Sequence, residues 1–521
     1  MAETVESTAM ESPKGQSTKT GDSGQDRILK NTSFLTVAFI IQKAISFLFF
    51  VFVARRLGPI ELGLFDPLKS LIPISLILID FSLSAVLTRE IARAPERKKE
   101  YLNNVLGVKL IFALLVMIIA GLVTIFGNFD PATKSLLYLI GIIVALDTFT
   151  LTFFAVFRGL QNLKYESIAI IFNQLIAAAI GIAALLLGYG LTGLFIAILA
   201  GSVFNFIFAV TILKKKTQLM PMPSWDLKVI KPFLKIAIPF AIAAIFVKVF
   251  TYTDRYMILA LAGKQYVGWY TSAHKLTFAL EFIPSAFAAS VYPAMSAFYV
   301  SSKEYLRKSF EKTIYFLMVI AIPLSVGMFA LADRLVVQLF TKDFEASIVP
   351  LRIMIAGLVF IFMNFPVGAL LNACNRQKRN TINMGITVAI NIILNAILIP
   401  KFTFVGAAIA TLISTSLLFF LGLYWVGKII PWSKKRIFIL FGKSVISAFI
   451  MGVAVKVIAP LIVFDIGQFF PTVGSYVQII AYYGIIALIG AVIYFVVLYL
   501  LKGISKNDFM SVYQSIVRKV S

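Results

Sequence analysis

What most constrains this chain is a succession of apolar runs, many of about 18 or more residues, separated by short polar connections. A run of that length crosses a bilayer as a helix, because in hydrocarbon the backbone has to satisfy its own hydrogen bonds. Sixty per cent of the 521 residues are hydrophobic and the mean hydropathy is +0.92, too apolar for a soluble protein of this size. The expected fold class is an all-α polytopic membrane protein. Runs at 33–53, 67–88, 104–126, 136–157, 167–187 and 191–213 form a first set of six. Runs at 233–261, 266–299, 313–332, 348–371, 381–399 and 406–426 form a second, and 442–463 and 477–501 follow. That is about fourteen transmembrane helices: two six-helix lobes and a two-helix C-terminal extension. Pro284 and Pro293 should kink the eighth run or end it early.

The formal charge of +24 does not sit on a soluble basic domain, which argues against nucleic acid as a partner. It falls in short clusters between apolar runs, at 97–99, 214–216, 376–379 and 434–436. With the N-terminus inside, cytoplasmic segments collect about 31 Lys/Arg and external ones about 8, the bias of the positive-inside rule. The expected location is the cell (cytoplasmic) membrane, with both termini cytoplasmic. Residues 1–30 are polar, lack a signal-peptide core and read as a disordered cytoplasmic tail. The domain division expected is an N-lobe at 31–213, a cytoplasmic linker at 214–232, a C-lobe at 233–427, and the last two helices with a basic tail at 428–521. The linker is Pro-rich, and Trp225 among Lys228, Lys231 and Lys235 suits a segment on the headgroup layer. The longest external loops, 54–66, 333–347 and 464–476, are too short to house an active site of their own. Cys374 is the single cysteine and His274 the single histidine, so no disulfide, Cys-based or multi-His metal site is expected.

An internal repeat runs through both halves at an offset of about 205 residues. Lys43 meets Lys248, Gly58 meets Gly263, Gly63 meets Gly268, Phe65 meets Tyr270, and Lys69–Ser70 meets His274–Lys275. Units with an even number of spans enter from one side, so the repeat is of the parallel kind, with a substrate path expected between the lobes.

Ionisable groups inside a bilayer are costly and mark functional sites by default. Lys248 and Arg255 are seven residues apart, as are His274 and Glu281, and Lys69 and Asp80 are eleven apart, so each pair shares a helix face. A hydrated cavity carrying Lys43, Lys69, Lys248, Arg255, His274 and Lys275 against Asp80, Asp254 and Glu281 would be net cationic and suit a phosphate or pyrophosphate head. The bland alternative is snorkelling of Lys69, Asp254, Arg255, His274 and Lys275 from near helix ends. Asp147 could hold a coupling cation or proton, or pair with Lys109. Asp80, Asp254 and Glu281 could likewise couple to Na⁺ or a proton or simply pair with bases. No other cofactor is expected. Asn391 and Asn395, one turn apart, and the Asn173–Gln174 pair fit inter-helix hydrogen bonds, and Arg352 fits snorkelling at an external end.

The segments ARRLGPIELGLFDPLKSLIP at 54–73, DFSLSAVLTREIAR at 80–93 and FRGLQNLKYESIAIIFNQ at 157–174 resemble those of polysaccharide-transporter (Wzx-like) oligosaccharide flippases. That family lies within the multidrug/oligosaccharidyl-lipid/polysaccharide exporter superfamily. The resemblance implies a 14-helix flippase moving a polyprenyl-linked oligosaccharide by alternating access, with the bilayer and glycan-assembly proteins as partners. It places the head of the substrate on Lys43, Lys69, Lys248, Arg255 and Lys275, and Arg89 and Arg158 at cytoplasmic helix ends near phosphate headgroups or lobe contacts. The alternatives are a cation-coupled multidrug exporter, which would favour an acidic cavity, and a membrane glycosyltransferase or polymerase, which would need a catalytic loop. A non-enzymatic transporter is the expectation.

Overall fold

A computed structural model describes residues 24–461 and 474–504. Among them the secondary structure is helical, with no strand. The first half comprises α1 (Gly24–Asp80), α2 (Leu83–Arg93), α3 (Lys98–Phe126), α4 (Pro131–Gly159), α5 (Lys164–Leu186) and α6 (Gly190–Thr217). Next come α7 (Leu227–Leu261), α8 (Lys264–Phe278), α9 (Phe282–Ser301), α10 (Lys303–Leu339), α11 (Ile348–Ala356), α12 (Leu358–Ala373) and α13 (Gln377–Gly427). The chain then continues through α14 (Lys434–Ile458) and α15 (Gly474–Leu500). Residues 1–23 of the expected tail and most of the 464–476 loop lie outside the described residues; 24–30 are helical.

Among the described residues, twelve helical segments are long and apolar enough to cross a membrane. Two are of double length, Phe34–Asp80 with 47 residues and Gln377–Gly427 with 51. At about 1.5 Å per residue each is longer than two hydrocarbon thicknesses. Each is interrupted by one non-helical residue, Gly58 in α1 and Thr403 in α13. The expected external loop at 54–66 is therefore corrected: the break is Gly58 alone, and Pro59 restarts the helix at a position where a missing N–H costs nothing. The expected loop at 333–347 is largely helical too, α10 running to Leu339 and a 3₁₀ turn covering Lys342–Ser347.

Two more breaks follow the glycine turns, one in each half. Between α1 and α2, Phe81 and Ser82 take left-handed φ values of 43° and 60°. Between α8 and α9 the helix tightens into a 3₁₀ turn at Ala279–Glu281. Pro284 follows in the first turn of α9, where the ring is tolerated.

Among the described residues the buried side chains form two cores. One joins both halves: Val51, Leu62 and Phe65 pack with Val267, Tyr270 and Ala273 around the Gly58 and Gly263 turns. The other gathers Leu83, Val86 and Ile91 of α2, Val105 of α3, Phe157 of α4 and Leu213 of α6 around Val229, Ile230, Phe233 and Ala237 of α7. The 218–226 segment is pinned to α3, whose Asn104 side-chain Oδ1 accepts the Asp226 N–H at 2.6 Å and whose Asn103 backbone carbonyl accepts the Ser224 N–H at 3.0 Å. Trp225 on it stays exposed.

Candidate functional site

The site is built at the meeting of α1, α7 and α8. Gly58 and Gly263 adopt φ/ψ of 70°/177° and 110°/169°, a region open essentially to glycine alone, and each turns the chain from one helix into the next. Beyond the turns the two halves touch reciprocally. A Cβ on Gly63 would lie 1.6 Å from the Lys264 carbonyl oxygen, and one on Gly268 would lie 1.9 Å from the Pro59 carbonyl oxygen. Pro59 and Lys264 are themselves partners in the repeat, so the contact is a local pseudo-two-fold. We call this the glycine end.

Directly below it, Asp66 of α1 meets Arg255 of α7, with Nε 2.6 Å from Oδ2 and both side chains largely buried. The Thr271 hydroxyl of α8 donates to the same carboxylate oxygen at 3.1 Å. Arg255 Nη1 donates to the Thr251 carbonyl at 2.5 Å, and Nη2 lies 3.1 Å from His274 Nδ1. A guanidinium only donates, so Nδ1 accepts and the imidazole proton sits on Nε2. The Tyr256 hydroxyl bonds Ser70 Oγ at 2.7 Å and the Pro67 carbonyl at 3.0 Å, adding a neutral tie between the halves.

A cavity of about 340 Å³ opens between α1 and the α8–α9 region. Lys43 and Lys275 line it together with Phe47, Phe50, Phe278 and Phe282. The Lys275 ammonium sits 5.3 Å from the Phe50 ring centre and that of Lys43 5.9 Å from Phe278, within cation–π range. Lys69 lies over Phe65 at 5.5 Å, and both Lys69 and Lys275 act electrostatically on the Asp66 carboxylate. Cations and aromatic rings on one wall suit an anion carried on an apolar chain.

The acids separate into different roles. Asp80 pairs with Lys109 of α3 at 2.5 Å, and Ser84 Oγ donates to the same carboxylate. The Lys109 option for Asp147 is thus corrected: Lys109 is wholly buried against Asp80, Ser84 and Thr152, and Asp147 instead lies near Ser202 of α6. Lys69 and Asp80 share α1, but only Lys69 belongs to the Asp66 cluster. Asp254 accepts from Tyr270, from Thr411 Oγ1 at 2.6 Å and from Asn395 Nδ2 at 2.6 Å. Asn395 thus ties α13 to α7, while its 3.1 Å bond to Asn391 stays within α13. Glu281 makes no ion pair among the described residues and, with Asp254, His274 and Thr411, lines a second cavity of about 260 Å³. Arg352, expected to snorkel, pairs with Asp333 at 2.7 Å. Arg158 of α4 is bound by Glu166 of α5, and Arg89 lies 3.3 Å from Glu90.

The structure therefore brings Lys43 and Lys275 onto one wall and groups Lys69, Arg255 and His274 with Lys275 around Asp66. Lys248, half-buried beside Tyr252, is not on that wall. The sequence does not single out Asp66 because it falls at the end of the expected 54–66 loop, nor Thr271 and Tyr256 because neither carries a charge. One trace was visible: Asp66 and Thr271 are themselves partners at the repeat offset.

The model of a family described as polysaccharide biosynthesis protein matches residues 28–299, and that of the MatE family matches 239–397. A probable low-salt glycan biosynthesis flippase of Haloferax volcanii, Agl15, is 24% identical over 384 residues, covering 73% of this chain and 79% of that protein. Among solved structures, the lipid II flippase MurJ in an inward closed conformation is similar with a TM-score of 0.66 at 19% identity, covering 89% of this chain and 97% of its own. An inward-facing multidrug resistance MATE family transporter of the MOP superfamily gives 0.59 at 18%, covering 77% and 98%.

Proposed function

The chain belongs to the polysaccharide biosynthesis protein family, and from that membership we propose that it is a flippase for a polyprenyl-(pyro)phosphate-linked oligosaccharide. The Haloferax volcanii relative, named as a probable glycan biosynthesis flippase, supports the substrate class. The chain is a multi-pass membrane transporter, not an enzyme. Its cationic wall favours this substrate over the cations a multidrug exporter would carry.

The observation that carries the reading is the Lys43–Lys275 wall between α1 and α8, with phenylalanines beside each ammonium. A phosphate there gains charge-assisted hydrogen bonds in a low dielectric, which offsets its lost hydration. The isoprenoid chain stays in hydrocarbon through the gap between α1 and α8–α9, so only the head crosses. The two halves act as lobes that rock about this path. The glycine end faces outward and both termini lie in the cytoplasm of the cell membrane, as the basic clusters favour. Coupling to Na⁺ or a proton falls to the cavity of Asp254 and Glu281; a gradient-dependent flipping rate in proteoliposomes, lost in Glu281→Gln, would support it.

Replacing Lys43 or Lys275 by Ala should slow flipping of a polyprenyl-pyrophosphate glycan in proteoliposomes. Each removes a hydrogen bond to a charged group worth roughly 1.5–3 kcal/mol, about tenfold to a hundredfold. Lys248→Ala should cost less. Flipping at the wild-type rate in the Lys43→Ala/Lys275→Ala double variant, at equal protein level, would refute the site.

A further inference from the structure

On the flippase reading, Asp66 is an acid set among the bases that would receive the substrate head. Its carboxylate pairs with Arg255 and takes the Thr271 hydroxyl bond, with Lys69 one turn along α1 and Lys275 one turn beyond Thr271 on α8, the position a phosphate oxygen would seek. Its ion pair with Arg255 is the only one that joins the two halves among the described residues. That pair is single-stranded rather than forked. Arg255 spends Nη1 on the Thr251 carbonyl and Nη2 on His274, and its Nε–H has no aligned acceptor. Charge therefore holds the pair more than the bidentate geometry that makes arginine–carboxylate contacts strong. A phosphate carries more charge and more acceptor oxygens than one carboxylate, and can satisfy Lys69, Lys275 and Arg255 together.

We propose that Asp66 is a built-in counter-ion that occupies the anion seat and latches the glycine end shut, and that the phosphate of the incoming lipid displaces it from Arg255. Binding then weakens the tie between α1 and α7 just where the halves meet, so loading and opening are one linked equilibrium. An empty transporter stays closed at that end because its own carboxylate is in place. The other ties here, the neutral Tyr256–Ser70 and glycine contacts and the Arg55 hydrogen bonds to the Leu339 and Gln338 carbonyls, carry no opposing charge pair between the halves and give way once the Asp66–Arg255 pair is gone.

The test uses full-length protein in a Cys374→Ser background with spin labels at Glu61→Cys and Gln265→Cys, both exposed beside the glycine contact. The probe is farnesyl phosphate, with farnesol and inorganic phosphate as separate arms. In otherwise wild-type protein the probe should lengthen the label distance and farnesol should not. A response to inorganic phosphate as well would show that the headgroup alone releases the latch; a response to the probe alone would show that the lipid must seat it. Asp66→Asn should show the longer distance without ligand and bind the probe on the order of tenfold tighter, a typical coupling between two linked sites. Asp66→Glu should keep the closed distance. If Asp66→Asn binds no tighter and stays closed while the probe still binds wild type, the latch is wrong and the flippase reading stands. If neither protein binds the probe, both fall. Should Asp66→Asn not fold, an unchanged wild-type distance at saturating probe overturns the latch.

Discussion

A lysine with no exposed surface is tolerable inside a membrane protein only because of what surrounds it. Lys109 has three partners: the Asp80 carboxylate at 2.5 Å, Ser84 Oγ at 2.8 Å and Thr152 Oγ1 at 2.6 Å. These tie α3 to α2 and α4 at the point where α1 breaks into α2. Lys109→Met alone strands a buried carboxylate, and a broken buried pair costs about 3–5 kcal/mol. The Asp80→Asn/Lys109→Met double variant removes both charges and should recover most of that loss. Thermal unfolding of detergent-purified protein measures it; a single variant as stable as wild type would show that the pair does not hold these helices. The presence of charge at Asp80 and Lys109 was legible in the sequence, but the pairing was not. Helical spacing says which face a lysine occupies, not which neighbouring helix lies opposite, and Asp147 on α4 was as plausible a partner as Asp80.

Among elements, the paired turns were legible and their surroundings were not. Gly58 and Gly263 at one offset, with Gly63 and Gly268 five residues on, mark equivalent points in the repeat, and the backbone confirms the likeness with matching positive φ. What misled was the width of the turn, because one glycine in a region closed to other residues reverses direction without a loop. The Phe81–Ser82 break carries no glycine or proline to announce it and depends on packing around Asp80 and Ser84. Gly58→Ala should destabilise by about 1–3 kcal/mol, the usual cost of a strained backbone position. Gly442→Ala, in α14 with open space around it, should be neutral or stabilise by up to about 1 kcal/mol. Gly63→Ala has a different effect, since its methyl group meets a backbone carbonyl of the other half. It should lengthen the Glu61–Gln265 label distance without ligand, and an unchanged distance would mean that the close approach is not what seals this end.

At the scale of the molecule, the two halves share one core around the glycine end, while the second core takes the beginning of α7 with it. The 233–427 lobe expected from the apolar runs cuts through that packing. Phe233 lies 5.3 Å from the Tyr101 ring on α3, and Ala237 is wholly buried in the same core. Farther along, Asp254 and Arg255 of α7 bind α8, α13 and the Asp66 carboxylate. Pro239 stands between those two attachments and removes one helical hydrogen bond there. If the halves rock against each other, α7 has to bend between its clasped start and its moving remainder, and Pro239 is where bending is easiest. Pro239→Ala restores the bond and should raise thermal stability by roughly 1–3 kcal/mol, within the penalty proline carries in a helix interior. It should also slow flipping several-fold while leaving farnesyl phosphate affinity unchanged, because a stiffer hinge taxes the conformational step and not the site. Flipping at the wild-type rate in the stabilised variant would place the hinge elsewhere, with the 218–226 segment that Asn103 and Asn104 hold against α3 as the next candidate.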